Sequence, residues 1–145
     1  MNMRPKKTKY AKYQKKLIKL KHKRGNHFEW KSNKLKFGDY GLCVIETGLL
    51  KASQIEAGRQ VILRKLKRQG QLWIRVFPDV PLTKKPIEVR MGKGKGNIDF
   101  WGVSVKAGQV LYEITGVEKS VGEIALRHGG GKLPLKSQVI YNLYK

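Results

Sequence analysis

Between Val89 and Asn97 the chain alternates cations with glycines, reading Val-Arg-Met-Gly-Lys-Gly-Lys-Gly-Asn. Glycine has no Cβ, so it leaves backbone amides unshielded and lets the chain enter narrow spaces. Arg90, Lys93 and Lys95 put positive charge on this thin segment, among Met91, Gly92, Gly94 and Gly96. Such a loop suits a polyphosphate. In a chain of formal net charge +22 the polyphosphate expected is nucleic acid. The simpler reading is a hairpin tip with solvated lysines.

Other phosphate chemistries fit less well. A Walker loop needs Gly-x-x-x-x-Gly-Lys followed by Ser or Thr and opening a helix. Here Gly96 is followed by Asn97 and the strand-like Ile98-Asp99-Phe100-Trp101. A dinucleotide fingerprint fails because the third glycine is not at its proper offset. His22, His27 and His128 lack metal-ligand spacing with one another or with carboxylates. No Gly-x-Ser-x-Gly elbow occurs. Cys43, the lone cysteine, sits in an apolar run and reads as a small buried thiol; it excludes an internal disulfide or a cysteine metal cluster. Glu88, Asp99 and Glu113 are expected in salt bridges amid so many cations. The expectation is a protein with no catalytic constellation, no metal, no cofactor and no small-molecule substrate.

Composition bounds the class. The 145 residues suit one domain with a real core. The 32 basic residues against 10 acidic, with a pI near 10.3, call for an anionic partner, and self-repulsion at this charge implies that an acidic polymer completes the structure. No apolar run approaches the roughly 20 residues that span a bilayer, so no membrane is expected. The basic opening segment lacks serines and a regular amphipathic stripe and is read as mature protein.

The elements that must position the glycine loop follow from periodicity. Every charged side chain from Met1 to Arg24 is cationic, so this stretch is expected to stay extended until phosphates order it. The spacing of Tyr13, Leu17 and Leu20 would allow a short helix over Ala11–Lys21. A loop follows over Gly25–Lys36, with Phe28 and Trp30 as possible stacking aromatics. Strands are expected over Phe37–Glu46, Leu72–Phe77, Ile87–Arg90, Ile98–Val105, Gln109–Thr115 and Pro134–Tyr144. The Pro78–Pro86 stretch reads as loop. Helices are expected over Leu50–Gln69, with Ser53 as cap and Gly70 at C′, and over Val117–His128, ended by Gly129-Gly130-Gly131. This order gives a single mixed-sheet α+β domain over 37–145 with two helices, preceded by a basic extension over 1–36.

Two long stretches now carry a resemblance. Lys67-Arg68-Gln69-Gly70-Gln71-Leu72-Trp73-Ile74-Arg75-Val76-Phe77-Pro78 resembles one signature of the bacterial-type large-subunit ribosomal protein sixteen family, the family shared with eukaryotic large-subunit protein ten. Arg90-Met91-Gly92-Lys93-Gly94-Lys95-Gly96, with Trp101 after it, is similar to the second. Pro5 to Tyr10, Gln54-Ile55-Glu56-Ala57, Val110-Leu111-Tyr112-Glu113 and Lys132-Leu133-Pro134 add to it.

The resemblance implies an α/β-hammerhead fold seated in large-subunit rRNA near the peptidyl transferase centre and the A-site and P-site tRNAs, beside neighbouring large-subunit proteins. It implies roles in late subunit assembly and in tRNA accommodation. Arg90 to Gly96 would be the loop reaching toward that centre. Lys6, Lys7, Lys9, Tyr10 and Lys12 would be the tail on rRNA, with Arg59, Arg68, Arg75 and Lys132 as further rRNA contacts. Tyr10, Trp30 and Trp73 would be candidates for base stacking.

The chain departs from the family pattern in the long, apolar Leu17–Lys36 segment, in Glu46-Thr47-Gly48, in Gly58, and in Gly129–Gly131. Richness in Lys, Ile, Asn and Tyr resembles products of AT-rich organelle genomes, so a mitochondrial ribosome is expected, with plastid second and bacterial cytoplasm third. The competing readings are a general RNA chaperone or nucleic-acid-compacting protein, which leaves both signatures unexplained, and a nucleotide-dependent enzyme.

Overall fold

The computed structural model describes residues 3–12 and 32–142. The expected helix over Ala11–Lys21 beyond its first two residues, the loop aromatics Phe28 and Trp30, His22 and His27, and most of the long Leu17–Lys36 segment lie outside these residues. Among the described residues nine elements run in the order β1 (Tyr40–Val44), β2 (Gly48–Lys51), α1 (Ala52–Lys65), β3 (Gln71–Ile74), β4 (Val80–Lys84), β5 (Asn97–Val105), β6 (Val110–Thr115), α2 (Lys119–Gly130) and β7 (Ser137–Tyr141).

The expected α+β class with two helices holds, and the strands divide between two antiparallel sheets. The larger has the order β3-β6-β1-β7, and the smaller β2-β5-β4. Strand β6 lies inside the larger sheet, between β3 and β1, and is buried on both faces from Val110 to Ile114, with Glu113 the one charged side chain among them. Leu42 and Val44 from β1, Leu50 from β2, Ile55 and Ile62 from α1 and Leu126 from α2 join it in one core.

Several boundaries differ from the sequence reading. Leu50 belongs to a separate strand, β2, and helix α1 starts at Ala52 with Lys51 as its cap residue. The Lys51 N–H donates to Gln54 Oε1 at 2.9 Å, so Gln54, not Ser53, satisfies the helix start. The helix ends at Lys65, short of Gln69. Lys67 and Arg68 then take left-handed φ values of 49° and 67°. Gly70 is therefore not the C′ residue; it is a glycine because an added Cβ would stand 2.3 Å from the Thr115 carbonyl oxygen.

The strand expected at Ile87–Arg90 is absent. The partner of β5 is instead Val80–Lys84, a stretch that the prolines had marked as loop. Pro81 is tolerated because β4 lies at the sheet edge, where one face of the ladder needs no N–H donor. Helix α2 continues through Gly129 and Gly130, both buried, rather than stopping at His128. Packing explains it: a Cβ on Gly129 would lie 2.5 Å from Ile62 Cγ1, and one on Gly130 would lie 2.5 Å from Ser137 Oγ. Close approach of α2 to α1 and to β7 outweighs the poor helix propensity of glycine.

Candidate nucleic-acid interface

Strands β4 and β5 form an arm whose tip is the glycine–lysine loop. Leu82 pairs with Phe100 and Lys84 with Asn97, so the hairpin opens into 85–96. Gly96 closes the neck: a Cβ there would meet the Lys84 carbonyl oxygen at 2.5 Å. Beyond it the backbone turns through three consecutive left-handed residues, Gly92 (φ 98°), Lys93 (φ 52°) and Gly94 (φ 78°). Such a run suits glycine, and only Lys93 adopts it with a side chain. Arg90, Lys93 and Lys95 are all exposed, and Met91 is 99% exposed at the apex.

Two lysines brace this loop through its carbonyls. Lys85 Nζ donates to the Gly92 carbonyl. Lys12 Nζ, from the N-terminal segment, donates to the Lys95 carbonyl at 3.1 Å. Tail and loop, widely separated in sequence, thus share one surface. Lys6, Lys7, Lys9 and Tyr10 are exposed along the same segment, and Lys9 Nζ lies 5.5 Å from the Tyr10 ring centroid.

The described tail is not the wholly undocked chain its charge implied. Met3 is buried in the domain core, which gives the segment an apolar anchor while its lysines stay in solvent. Further along, the Val110 N–H donates to the Ser32 carbonyl at 3.0 Å. An apolar residue just ahead of a cationic run was the available signal for the anchor.

Other expected site residues are placed differently. Arg75 is turned inward. Its guanidinium bonds Glu113 Oε1, with side-chain exposures of 13% and 0%. Glu113 also accepts from the backbone N–H groups of Phe37 (2.7 Å) and Gly38 (2.8 Å), and from that of Lys36 (3.1 Å). The Phe37 ring lies 5.3 Å from the Arg75 guanidinium and stacks on Trp73 at 6.0 Å between centroids. Arg75, Glu113, Phe37 and Trp73 thus tie the end of the extension to β6. The expectation that Glu113 sits in a salt bridge holds. Trp73 already stacks within the chain.

Arg59 grips Glu56 with two hydrogen bonds of 2.6 and 2.9 Å, and that guanidinium holds the Glu56 carboxyl down at about 2. Arg68 and Lys132 are exposed, one in the left-handed turn after α1 and the other just past α2. No described contact links either to the arm. Cys43 is half-buried, and burial pushes its thiol up. His128 lies on the surface of α2, its Nδ1 2.7 Å from the Ile124 carbonyl oxygen. Among the described residues no group of His, Cys, Asp or Glu could hold a metal ion, and no helix is long and apolar enough to cross a membrane.

Fold and surface together define a class: a small, strongly basic α+β domain with cations carried on a thin glycine arm and on a tail braced against it. The family model described as ribosomal protein L16p/L10e matches residues 5–140, and the chain belongs to that family. Its members are structural components of the ribosome, not enzymes. The chain is similar to the large ribosomal subunit protein uL16 of Blochmanniella pennsylvanica, 46% identical over 140 residues that cover 97% of this chain and 98% of that one. It is 47% identical to the protein of the same name from Cereibacter sphaeroides, covering 95% and 96% of the two chains. A third relative of that name, from Francisella tularensis subsp. holarctica, is 43% identical over 138 residues.

Proposed function

We propose that this protein is a structural constituent of the large ribosomal subunit that binds large-subunit rRNA and carries its glycine–lysine loop toward the peptidyl transferase centre and the tRNAs. The observation that carries the reading is the convergence of tail and loop, joined by the Lys12–Lys95 contact, on an arm that projects Arg90, Lys93 and Lys95. In this reading Lys6, Lys7, Lys9, Tyr10 and Lys12 contact rRNA, with Arg68 and Lys132 as contacts elsewhere on the domain. Phosphate contacts supply most of the affinity. Arg59 and Arg75 serve first in internal ion pairs, so their share in RNA binding is secondary. The protein positions and stiffens RNA; the chemistry of peptide transfer belongs to the RNA.

The loop then acts during accommodation of tRNA, and the remainder of the domain acts in subunit assembly, among neighbouring large-subunit proteins. Replacing Arg90, Lys93 and Lys95 together by alanine is expected to slow accommodation while leaving incorporation into subunits intact. Pre-steady-state accommodation kinetics on purified variant ribosomes test this, and unchanged rates would sink it. The compartment we assign is the mitochondrion, on the lysine and isoleucine content of the chain and on the long, apolar Leu17–Lys36 segment. The relatives named above are bacterial and support a bacterial-type ribosome. Fractionation of a tagged copy decides between mitochondrion, plastid and bacterial cytoplasm.

A further inference from the structure

The core-facing side of β5 runs outward from Val105, fully buried, through Val103 to Trp101, which is only partly covered. At Trp101 lies a cleft of about 710 Å³, lined by Trp101, Phe77 and the tail from Arg4 to Thr8. The tail is held at both ends of this span, by Met3 in the core and by Lys12 on the Lys95 carbonyl. Phe77 is 49% exposed although it follows directly on buried Val76. Arg4, Lys6 and Lys7 are among the residues that line the cleft, and no acid is. Two aromatic side chains beside three cations, in a space within the usual 300–1,000 Å³ range of small-ligand sites, match one chemistry: a planar base with its phosphates.

We infer that this cleft takes a single unstacked nucleotide of RNA, its base against Phe77 and Trp101 and its flanking phosphates on Arg4, Lys6 and Lys7. The inference deepens the ribosomal reading above and rests on it. A duplex keeps its base faces stacked and closed, so only a looped-out or single-stranded base can present a π-face here. A purely electrostatic surface would have no use for Phe77; an acidic peptide would use the cations and leave the two aromatics idle.

The test uses the full chain and a short single-stranded RNA, with the same sequence as a duplex for comparison. Phe77→Ala is expected to weaken single-strand binding on the order of tenfold and to leave duplex binding unchanged. Phe77→Tyr, which keeps the ring, is expected to restore it. With 4-thiouridine in the single strand, photocrosslinks should map to peptides containing Phe77 or Trp101. Equal single-strand binding by Phe77→Ala and the parent, or equal loss on both RNAs, would overturn the cleft and leave the ribosomal reading standing. Failure of the parent chain to bind either RNA would strike that wider reading itself.

Discussion

Arg75 and Arg90 both lie in signature stretches and both read from sequence as cations offered to RNA, yet their surroundings separate them. Arg90 stands exposed beside the apex of the arm, whereas Arg75 is spent on Glu113. Nothing local in Trp73-Ile74-Arg75-Val76 distinguishes the two roles. The partner is on β6, brought alongside only when β3 and β6 pair, with Trp73 opposite Glu113 in register. Removing one member of a buried ion pair strands the other charge, at a cost of about 3–5 kcal/mol. Three backbone N–H groups still hold Glu113, so Arg75→Met is expected near the lower end, about 3 kcal/mol, seen as a lowered unfolding midpoint. The same variant should leave the salt dependence of RNA binding unchanged, because Arg75 presents little charge to a partner. A clear loss of slope with no loss of stability would reverse that assignment.

At the scale of elements, the parts best read from sequence were those with a clean period. The amphipathic face of Ile55, Ile62 and Leu66 pointed to α1, and the alternation that starts at Leu72 pointed to β3. What was not legible depended on neighbours. Strand β2 is four residues long and runs straight into α1, so it carried no period of its own. Strand β4 contains Pro81 and looked like loop until its edge position was known. The glycines Gly58 and Gly129 looked like separate oddities. In the fold they face each other at the crossing of α1 and α2: a Cβ on either would stand 3.5 Å from the other's carbonyl oxygen. A Cβ on Gly58 would also come within 2.7 Å of the Tyr112 hydroxyl, which donates to the Ile55 carbonyl at 2.7 Å. Gly129→Ala is therefore expected to destabilise. Overpacking against Ile62 costs about 1–3 kcal/mol, offset by roughly 1 kcal/mol of helix propensity. Adding Ile62→Val, which removes the Cδ1 atom 2.7 Å from the new methyl, should recover part of the loss. A double-mutant cycle in chemical denaturation reads the coupling, and strict additivity would contradict direct packing at this crossing.

For the molecule as a whole, charge and composition already pointed to a polyanion, and the fold adds where that charge is held back and where it is offered. Glu56 and Glu113 neutralise Arg59 and Arg75 within the domain, and Glu123 and Glu46 pair with Arg127 and Lys136 at the α2–β7 side. The tail and arm carry Arg4, Lys6, Lys7, Lys9, Lys12, Lys85, Arg90, Lys93 and Lys95. If about ten phosphates are neutralised, the log–log dependence of RNA affinity on salt should have a slope of about −7 to −9. Titrations across a series of potassium concentrations measure it, and a slope near zero would remove the electrostatic basis of the account.

The central claim is that the arm and tail belong in large-subunit rRNA. Ultraviolet crosslinking of the tagged protein in its native cells, followed by sequencing of the attached RNA, tests that claim most directly. The account expects crosslinks concentrated in one large-subunit rRNA, with the adducted peptides drawn from the tail and from the 85–96 loop. The genome that encodes that rRNA would also fix the compartment. Crosslinks scattered over many RNAs, or recovery of DNA in their place, would contradict the account and favour a general nucleic-acid binder.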